Sequence, residues 1–206
     1  MAEPRFQRRK EERPEEITQA ALEAFAEKGY AATRVDEVAK RAGVSKGLLY
    51  LYFKTKEDLF KAVIRSFVSP RVDALVDTIA NTELSAEAFI RGPFLDFAKS
   101  VPNSPVKVLI RLMVAEGPKH PDLVQWYWDT VVSRAIKALG SLIEKGVRNG
   151  EFRHTALSEF PQLLVAPVLF STIFTTVFRK QADLDTDRFI EAHVDLLLNA
   201  VRVKTT

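Results

Sequence analysis

The stretch that decides the fold runs from residue 33 to residue 56 and reads TRVDEVAKRAGVSKGLLYLYFKTK. It predicts two short helices joined by a turn. Ala39, Gly43 and Leu49 lie at offsets 0, 4 and 10, the spacing that a helix-turn-helix requires. A small Ala39 lets the helices cross closely, and Gly43 supplies the positive φ of the turn. Leu49 then anchors the second helix in the core.

Hydroxyl residues stand where the helices of this stretch are expected to begin. Thr33 precedes Asp36 by three residues, which resembles a capping box. Ser45 is placed to cap the second helix. Thr55, followed by acidic residues, is placed to open a longer helix, because carboxylates favour a helix N-terminus.

The side chains that this small core does not need are suited to DNA. They lie at the N-terminal end of the second helix, which such a motif inserts into the major groove, and just beyond it. Hydroxyl and cationic groups there can bind phosphates. The alternative is a solvated basic face on an ordinary helical hairpin. The residues concerned are Ser45, Lys46, Gly47, Tyr50, Tyr52, Lys54 and Lys56.

Charge is concentrated near the N-terminus. The whole chain of 206 residues has a net charge of +3. Residues 5–13 carry five bases and two acids, and residues 33–56 carry six bases and two acids, so these segments hold +7. The remainder therefore carries −4, and the chain combines a basic end with a mildly acidic body. Such a field attracts phosphate to the basic end.

The composition limits the class of protein. An apolar content of 47% and a charged content of 28% exclude a disordered chain. The absence of cysteine excludes a disulfide scaffold, thiolate metal sites and a thiol nucleophile. The three histidines are scattered and no nucleophile motif is present, so we expect no metal, no cofactor and no enzyme activity.

The rest of the chain also shows helical periodicity, which predicts an all-α protein of about nine helices. We expect a flexible basic arm at residues 1–13 and a DNA-binding domain at residues 14–62. A larger C-terminal domain would occupy residues 63–206.

The sequence resembles the TetR/AcrR family of bacterial transcriptional regulators. The resemblance rests on residues 42–53, on residues 56–60, and on the lead-in from Ala24 to Thr33. It implies a cytoplasmic homodimer, associated with the nucleoid when bound, that reads a palindromic operator with two helix-turn-helix units. It also implies a C-terminal domain with a small-molecule pocket. By matching position, the DNA contacts would be Thr33, Arg34, Ser45, Lys46, Gly47, Leu48, Tyr50, Tyr52 and Lys56.

Two of these positions depart from common forms of the family. Leu48 stands where a hydroxyl residue is frequent, which leaves a group suited to a thymine methyl. Tyr52 stands where histidine is frequent, so a phosphate contact survives without a pH-sensitive charge.

The aromatic run Trp126-Tyr127-Trp128 is unusual. Successive helical residues point about 100° apart, so the three side chains cannot all face one core. We name Phe97, Met113, Trp126, Phe170 and Phe174 as candidate ligand-binding residues, with plain core packing as the alternative. Arg111 could bind a ligand anion or pair with Glu116, Asp122 or Asp129.

An uncharged segment at residues 160–178 is nearly long enough to span a bilayer. Its prolines and hydroxyl residues favour a buried helix or a subunit interface instead. We expect it to dimerise together with residues 186–202, and its small residues to pack against a second copy. These small residues are Ala166, Ser171, Thr172 and Thr175.

Three functions follow as hypotheses. The first is a DNA-binding regulator, a repressor released by a small apolar or amphipathic effector that shifts the helix beginning at Thr55. The second is a DNA-binding dimer without a small-molecule effector, regulated by a protein partner. The third is a protein anchored in a membrane by residues 160–178.

Overall fold

The fold is all-α, as predicted. The computed structural model describes the backbone of residues 5–203 and the side chains of residues 14–203. No strand occurs in this range, where an isolated bridge joins Phe152 and Arg202. The helices are α1 Arg5–Ala32, α2 Val35–Arg41, α3 Lys46–Tyr52, α4 Lys56–Phe67, α5 Ser69–Asn81, α6 Ala86–Phe89, α7 Leu95–Ser100, α8 Val106–Glu116, α9 Pro121–Tyr127, α10 Ser133–Arg148, α11 Ala156–Glu159, α12 Gln162–Val177 and α13 Thr186–Val201.

These thirteen α-helices exceed the nine expected, partly because π-helical turns interrupt two of the long helices. The turn Ile90–Phe94 separates α6 from α7, and the turn Trp128–Val132 separates α9 from α10. The first contains Pro93. Proline has no backbone N–H, so the regular hydrogen-bond ladder cannot continue through it.

Helix α1 includes most of the segment for which a flexible basic arm is predicted. It begins at Arg5, so the backbone of residues 5–13 is helical; residues 1–4 lie outside the described range. The arm is rich in Arg, Lys, Gln and Glu, which are good helix formers. Within α1, Gly29 interrupts the helical geometry with φ 80° and ψ 171°.

The chain divides into two compact units. The first contains the chain up to Pro70 together with Leu112–Trp126, and the second contains Arg71–Arg111 and the chain from Tyr127 onwards. The predicted domains, 14–62 and 63–206, do not assign the segment Leu112–Trp126 to the first unit. Two boundaries fall between Arg111 and Leu112, inside α8, and between Trp126 and Tyr127.

The core of the first unit forms where α1 packs on α4 and α2. Phe25 and Phe60 are buried, with ring centroids 5.2 Å apart, and Tyr30 lies 5.0 Å from Phe60. Edge-on aromatic pairs of this kind add stabilisation beyond the area that they bury. This cluster fixes α1 and α4 as the scaffold on which α2 and α3 are held.

The segment Leu112–Trp126 belongs to the same unit and has its own contacts there. The Trp126 ring lies 5.6 Å from the Lys61 ammonium and 5.1 Å from the Arg65 guanidinium, both on α4. The His120 ring meets Tyr30 edge-on at 4.9 Å. Cations over an indole face are attracted to it, so α4 holds this segment through one tryptophan.

In the second unit α13 packs on α12 and α7, and α10 packs on α6. Gly146 of α10 lies so close to Phe152 that a Cβ placed at Gly146 would lie 2.4 Å from the phenylalanine ring. A close approach of this kind is one of the conditions that demand glycine.

The uncharged segment at residues 160–178 does not meet the length and hydropathy of a membrane-spanning helix. No helix among the described residues is both long and apolar enough to cross a bilayer.

Candidate nucleic-acid interface

The turn between α2 and α3 has the predicted geometry. Gly43 has φ 66°, and the Val44 N–H donates to the Ala39 carbonyl at 3.0 Å. Ala39 is buried at the crossing of the two helices, and Leu49 is fully buried. The three positions of the motif therefore do what their spacing predicts.

The caps agree with the sequence at two helices and differ at the third. Ser45 Oγ accepts a hydrogen bond from the Leu48 N–H at 3.1 Å and caps α3. Thr55 and Asp58 form a reciprocal capping box at α4, with hydrogen bonds of 3.0 and 3.1 Å. Each cap satisfies N–H groups that the helix itself leaves unpaired.

The predicted cap at Thr33 is wrong. Arg34 is the N-cap of α2, and its side chain makes no capping hydrogen bond. Thr33 is only 2% exposed, and its hydroxyl donates to the carbonyls of Gly29 at 2.7 Å and Ala24 at 3.2 Å. Because the chain turns sharply at Gly29, the last carbonyls of α1 lie nearer to this hydroxyl than the start of α2. Its side chain is therefore committed inside the unit.

Helix α3 presents one exposed face. Lys46, Gly47 and Tyr50 are exposed, and a Cβ added to Gly47 would meet nothing within 4 Å. Leu48 and Tyr52 are half-buried beside this face. The backbone at the start of α3 is thus open to a large ligand, as a groove-reading helix needs to be.

Leu51 is a residue of this face that the predicted contacts missed. Its side chain is 75% exposed, the highest value among the large apolar residues described. It follows Gly47 by four residues, so both lie on the same side of α3. The sequence held a signal for it, because two residues from the buried Leu49 a helical side chain points away from the core.

Lys46 is paired but accessible. Its ammonium lies 2.9 Å from a carboxylate oxygen of Asp36, and both side chains are exposed. The hydrogen bond and the charge of Asp36 raise the pKa of Lys46. Exposed pairs of this kind contribute little stability, so the ammonium can exchange the carboxylate for a phosphate at small cost.

Lys56, a predicted phosphate contact, is bonded internally in the structure. Its Nζ donates to the carbonyls of Tyr30, Ala31 and Thr33 at 2.9, 2.9 and 3.3 Å. It also lies 4.7 Å from the centre of the Tyr30 ring. An ammonium has three donors, and all three are used here. Partial burial lowers the pKa of this lysine.

A depression of about 440 Å³ lies on this side of the first unit. It brings together five of the nine predicted contact residues, while Ser45, Gly47, Leu48 and Tyr52 lie outside its lining. Its residues are Thr33, Arg34, Val35, Asp36, Lys46, Tyr50, Lys54, Thr55 and Lys56. The side chains free to bind here are those of Arg34, Lys46, Tyr50 and Lys54, since Thr33 and Lys56 are engaged internally.

The five candidate ligand-binding residues are distributed over the two compact units. Met113 and Trp126 belong to the first unit, whereas Phe97, Phe170 and Phe174 belong to the second. Phe170 stacks on Phe174 with centroids 5.5 Å apart and is itself exposed. The assignment of these five residues to a ligand site stays a prediction, because helical periodicity indicates an apolar face without indicating which helix covers it.

The run Trp126-Tyr127-Trp128 is divided as expected. Trp128 is exposed, and Trp126 is half-buried against cations of α4. Burial raises the pKa of Tyr127 to about 12.

Helices α12 and α13 carry exposed apolar side chains in the second unit. On α12 and at its end they lie at positions three and four residues apart, which places them on one face. Leu196 of α13 is 71% exposed. The residues of α12 and its end are Leu169, Phe170, Ile173, Val177 and Phe178.

Two of the four small residues expected at the dimer contact, Ser171 and Thr172, lie inside the second unit. Ser171 and Thr172 are buried inside the unit, and both hydroxyls donate to the Val168 carbonyl, at 3.1 and 2.7 Å. This internal bonding lets them be buried without an outside partner. They therefore cannot be the residues that pack against a second copy.

Two protein families match this chain, one over the first unit and one mainly over the second. The family described as bacterial regulatory proteins, tetR family, matches residues 17–63. The family described as AefR-like transcriptional repressor, C-terminal domain, matches residues 95–201.

Individual relatives match over most of their length. The chain is 23% identical to the fatty acid metabolism regulator protein of Bacillus subtilis over 84% of this chain and 88% of the relative. It is 30% identical to the HTH-type transcriptional repressor KstR2 of Mycolicibacterium smegmatis over 68% of each chain.

Solved structures share the fold. The transcriptional regulator FadR from Bacillus subtilis, in complex with stearoyl-CoA, superposes with a TM-score of 0.75 at 20% identity, covering 91% of this chain and 99% of that one. A TetR transcription regulator from Haloarcula marismortui gives a TM-score of 0.74 at 20% identity, with 94% and 100% covered. The helix-turn-helix geometry and both family matches lead to one conclusion: the chain belongs to the TetR family of DNA-binding transcriptional regulators.

Proposed function

We propose that the protein is a homodimeric repressor that binds a palindromic operator through α3 and is released by an amphipathic effector. The observation that supports DNA binding is the exposed face of α3. It is capped by Ser45, open at Gly47 and bordered by Arg34 and Lys54, and nothing in the first unit needs this face for packing. Exposed cations and hydroxyls at a helix start are suited to phosphates.

On this proposal, the direct DNA contacts are made by side chains of α3 and by cations beside it. Leu48 and Leu51 supply apolar contacts to base edges, for which a thymine methyl is the natural partner. Lys46, Tyr50, Tyr52, Lys54 and Arg34 contact phosphates, and Ser45 and Gly47 offer backbone N–H groups at the helix start.

Selection of bound DNA fragments from the source genome tests this half. We expect an enriched motif with two-fold symmetry, with half-sites one or more turns apart, a turn being about 34–36 Å. Enrichment of unrelated fragments in proportion to their abundance would contradict specific recognition. The enriched fragments also supply the operator for all binding measurements below.

The proposed dimer interface is the apolar face of α12 with Leu196 of α13. Leu169, Ile173 and Val177 recur every four residues along α12 and are 41–59% exposed. A contiguous apolar face of this kind marks an interaction site on a folded protein. Sedimentation of Ile173→Lys should give a monomer, whereas Leu84→Lys, at an exposed leucine elsewhere in the second unit, should remain dimeric.

The effector is proposed from the relatives. One of them is named for fatty acid metabolism, and FadR was solved with stearoyl-CoA. We therefore propose an acyl compound with a charged end as the effector of this chain. Titration of the protein–operator complex with stearoyl-CoA should lower operator affinity by about 5–150-fold, the usual range of such coupling.

The second candidate function is the dimer regulated by a protein partner. It would be favoured if acyl compounds bind nowhere on the protein and leave operator affinity unchanged.

A further inference from the structure

The second unit contains a cavity of about 410 Å³ that none of the five candidate ligand-binding residues lines, although Arg111, the candidate anion-binding residue, does. Four segments form it: the loop after α7, the start of α8, the end of α12, and the link from α12 to α13. Its residues are Pro102, Asn103, Lys107, Val108, Arg111, Thr175, Thr176, Arg179, Ala182, Asp183, Leu184 and Thr186. The volume lies near the low end for small-molecule sites, which run from about 300 to 1,000 Å³.

The cavity is cationic although the body of the chain is acidic. Lys107, Arg111 and Arg179 line it, against the single carboxylate of Asp183, which gives the lining a net charge of +2. Outside residues 5–13 and 33–56 the chain carries −4 in total. A local excess of positive charge in such surroundings focuses an attractive field for anions.

Two of these cations have no acidic partner in the structure. Neither Lys107 nor Arg179 forms an ion pair with any residue in the range 14–203, whereas many surface cations of the second unit do. The threonine hydroxyls cannot take their place as donors. Those of Thr175 and Thr176 donate to backbone carbonyls of α12 at 2.7 Å. Recognition of an anion would therefore depend on the cationic side chains.

The remaining lining mixes polar side chains with a small apolar part. Val108 and Leu184 are half-buried beside the cations. A site with an apolar wall and a few convergent charges is typical of ligand recognition. Its volume is too small for a long acyl chain together with a bulky charged group, so it fits one end of such a molecule.

We propose that this cavity binds the anionic end, a phosphate or a carboxylate, of the effector, with Lys107 and Arg179 as charge-assisted donors. The inference rests on the proposed ligand-responsive function and names the chemistry of its ligand. Lys107 and Arg179 are exposed, and guanidinium and ammonium groups form charge-assisted hydrogen bonds with either anion. A phosphate-bearing thioester and a free fatty acid share this chemistry, and the test separates them.

The test compares two double variants that remove the same charge. Lys107→Gln with Arg179→Gln removes two cations from the cavity. Lys137→Gln with Lys180→Gln removes two exposed cations that do not line it. Calorimetry on the full-length protein measures binding of stearoyl-CoA, free coenzyme A, stearate and inorganic pyrophosphate. Operator affinity without any of these probes is measured in parallel.

We expect the cavity variant to lose roughly 10-fold or more in affinity for at least one probe, and the control variant to lose less than about 3-fold. A loss confined to the coenzyme A probes and pyrophosphate assigns a phosphate, and a loss confined to stearate assigns a carboxylate. Equal losses in both variants, no loss in either, or no binding of any probe to the unmodified protein overturns the proposal.

The operator measurement distinguishes a failure of the cavity proposal from a failure of the proposed repressor function. Both variants should bind the operator as the unmodified protein does, because both changes lie outside the first unit. A protein that binds anionic probes in the cavity but no operator would contradict the proposed function and leave the cavity assignment standing. A protein that binds the operator but no anionic probe would contradict the cavity assignment and leave the DNA-binding function standing.

Discussion

The α2–α3 motif and the cavity of the second unit differ in how their parts are brought together. The motif is built from residues 33–56, and each part is set by its near neighbours: Gly43 by its positive φ, Ser45 by the N–H that it caps. The cavity joins residues 102–111 to residues 175–186, which are more than 60 positions apart. A local site is tolerant of change elsewhere in the chain, whereas a distributed site depends on the packing of several helices.

The largest expected effect tests whether the motif depends on its own core. Leu49→Ala removes a fully buried side chain and should lower the free energy of unfolding by about 2–5 kcal/mol. Leu51→Ala makes the same change two residues away at an exposed site and should cost less than about 0.5 kcal/mol. Chemical denaturation followed by circular dichroism measures both. Equal losses would show that α3 is not held as the structure has it.

The next effect concerns DNA contact. Lys46→Ala and Tyr50→Ala should each weaken operator binding by roughly 10-fold in fluorescence anisotropy, because each removes an exposed donor from α3. Lys137→Ala, an exposed cation of the second unit, serves as the control and should change affinity little. Sedimentation should show an intact dimer in all three. A monomer in either α3 variant would mean that the residue supports the fold rather than DNA.

A smaller effect separates two neighbouring lysines. Lys56→Ala removes an ammonium bonded to three carbonyls and should destabilise the first unit by about 1–2 kcal/mol, measured by denaturation. Lys54→Ala should leave stability unchanged, because Lys54 is exposed.

The salt dependence of operator binding should show the opposite order for these two variants. The slope of log affinity against log salt should fall by about 0.9 for Lys54→Ala, the value for one lost phosphate contact. It should not change for Lys56→Ala. A lower slope in Lys56→Ala would indicate that Lys56 does contact a phosphate, as the sequence predicted.

The smallest effect is a pH dependence in the second unit. Hydrogen bonds from Arg202 and Arg91 lower the pKa of Glu87 to about 2, from 4.5. A carboxylate with a lowered pKa stabilises the fold above its unfolded pKa and loses that contribution as pH falls. Stability should therefore decline between about pH 4.5 and pH 2 in the unmodified protein.

Glu87→Gln should flatten this decline and cost less than about 1 kcal/mol at neutral pH, since the pair is partly exposed to solvent. Urea denaturation across pH measures both quantities. Glu144→Gln, which breaks an exposed pair with Arg148, is the control and should leave the slope unchanged. If the free energy of unfolding falls with pH equally in Glu87→Gln and the unmodified protein, this ion pair does not contribute to the loss of stability in acid.

The fold and the motif could be predicted because their signals are local. Helical periodicity, the offsets of Ala39, Gly43 and Leu49, and two of the three proposed caps each depend on residues within a few positions. The cap at Thr33 was predicted wrongly because its hydroxyl bonds to carbonyls of α1, and a sequence does not show where a carbonyl points. The cavity could not be predicted, because Lys107 and Arg179 lie about 70 positions apart in the sequence and both line it.

The close approach of Gly146 to Phe152 has a consequence for how this chain can diverge. Any side chain at position 146 would overlap the ring at position 152, so neither position can change freely alone. A smaller residue at 152 would not by itself admit a side chain at 146, because the added Cβ would also lie 2.9 Å from the Ala86 Cβ. Among descendants of this protein, position 146 should therefore remain glycine even where position 152 varies.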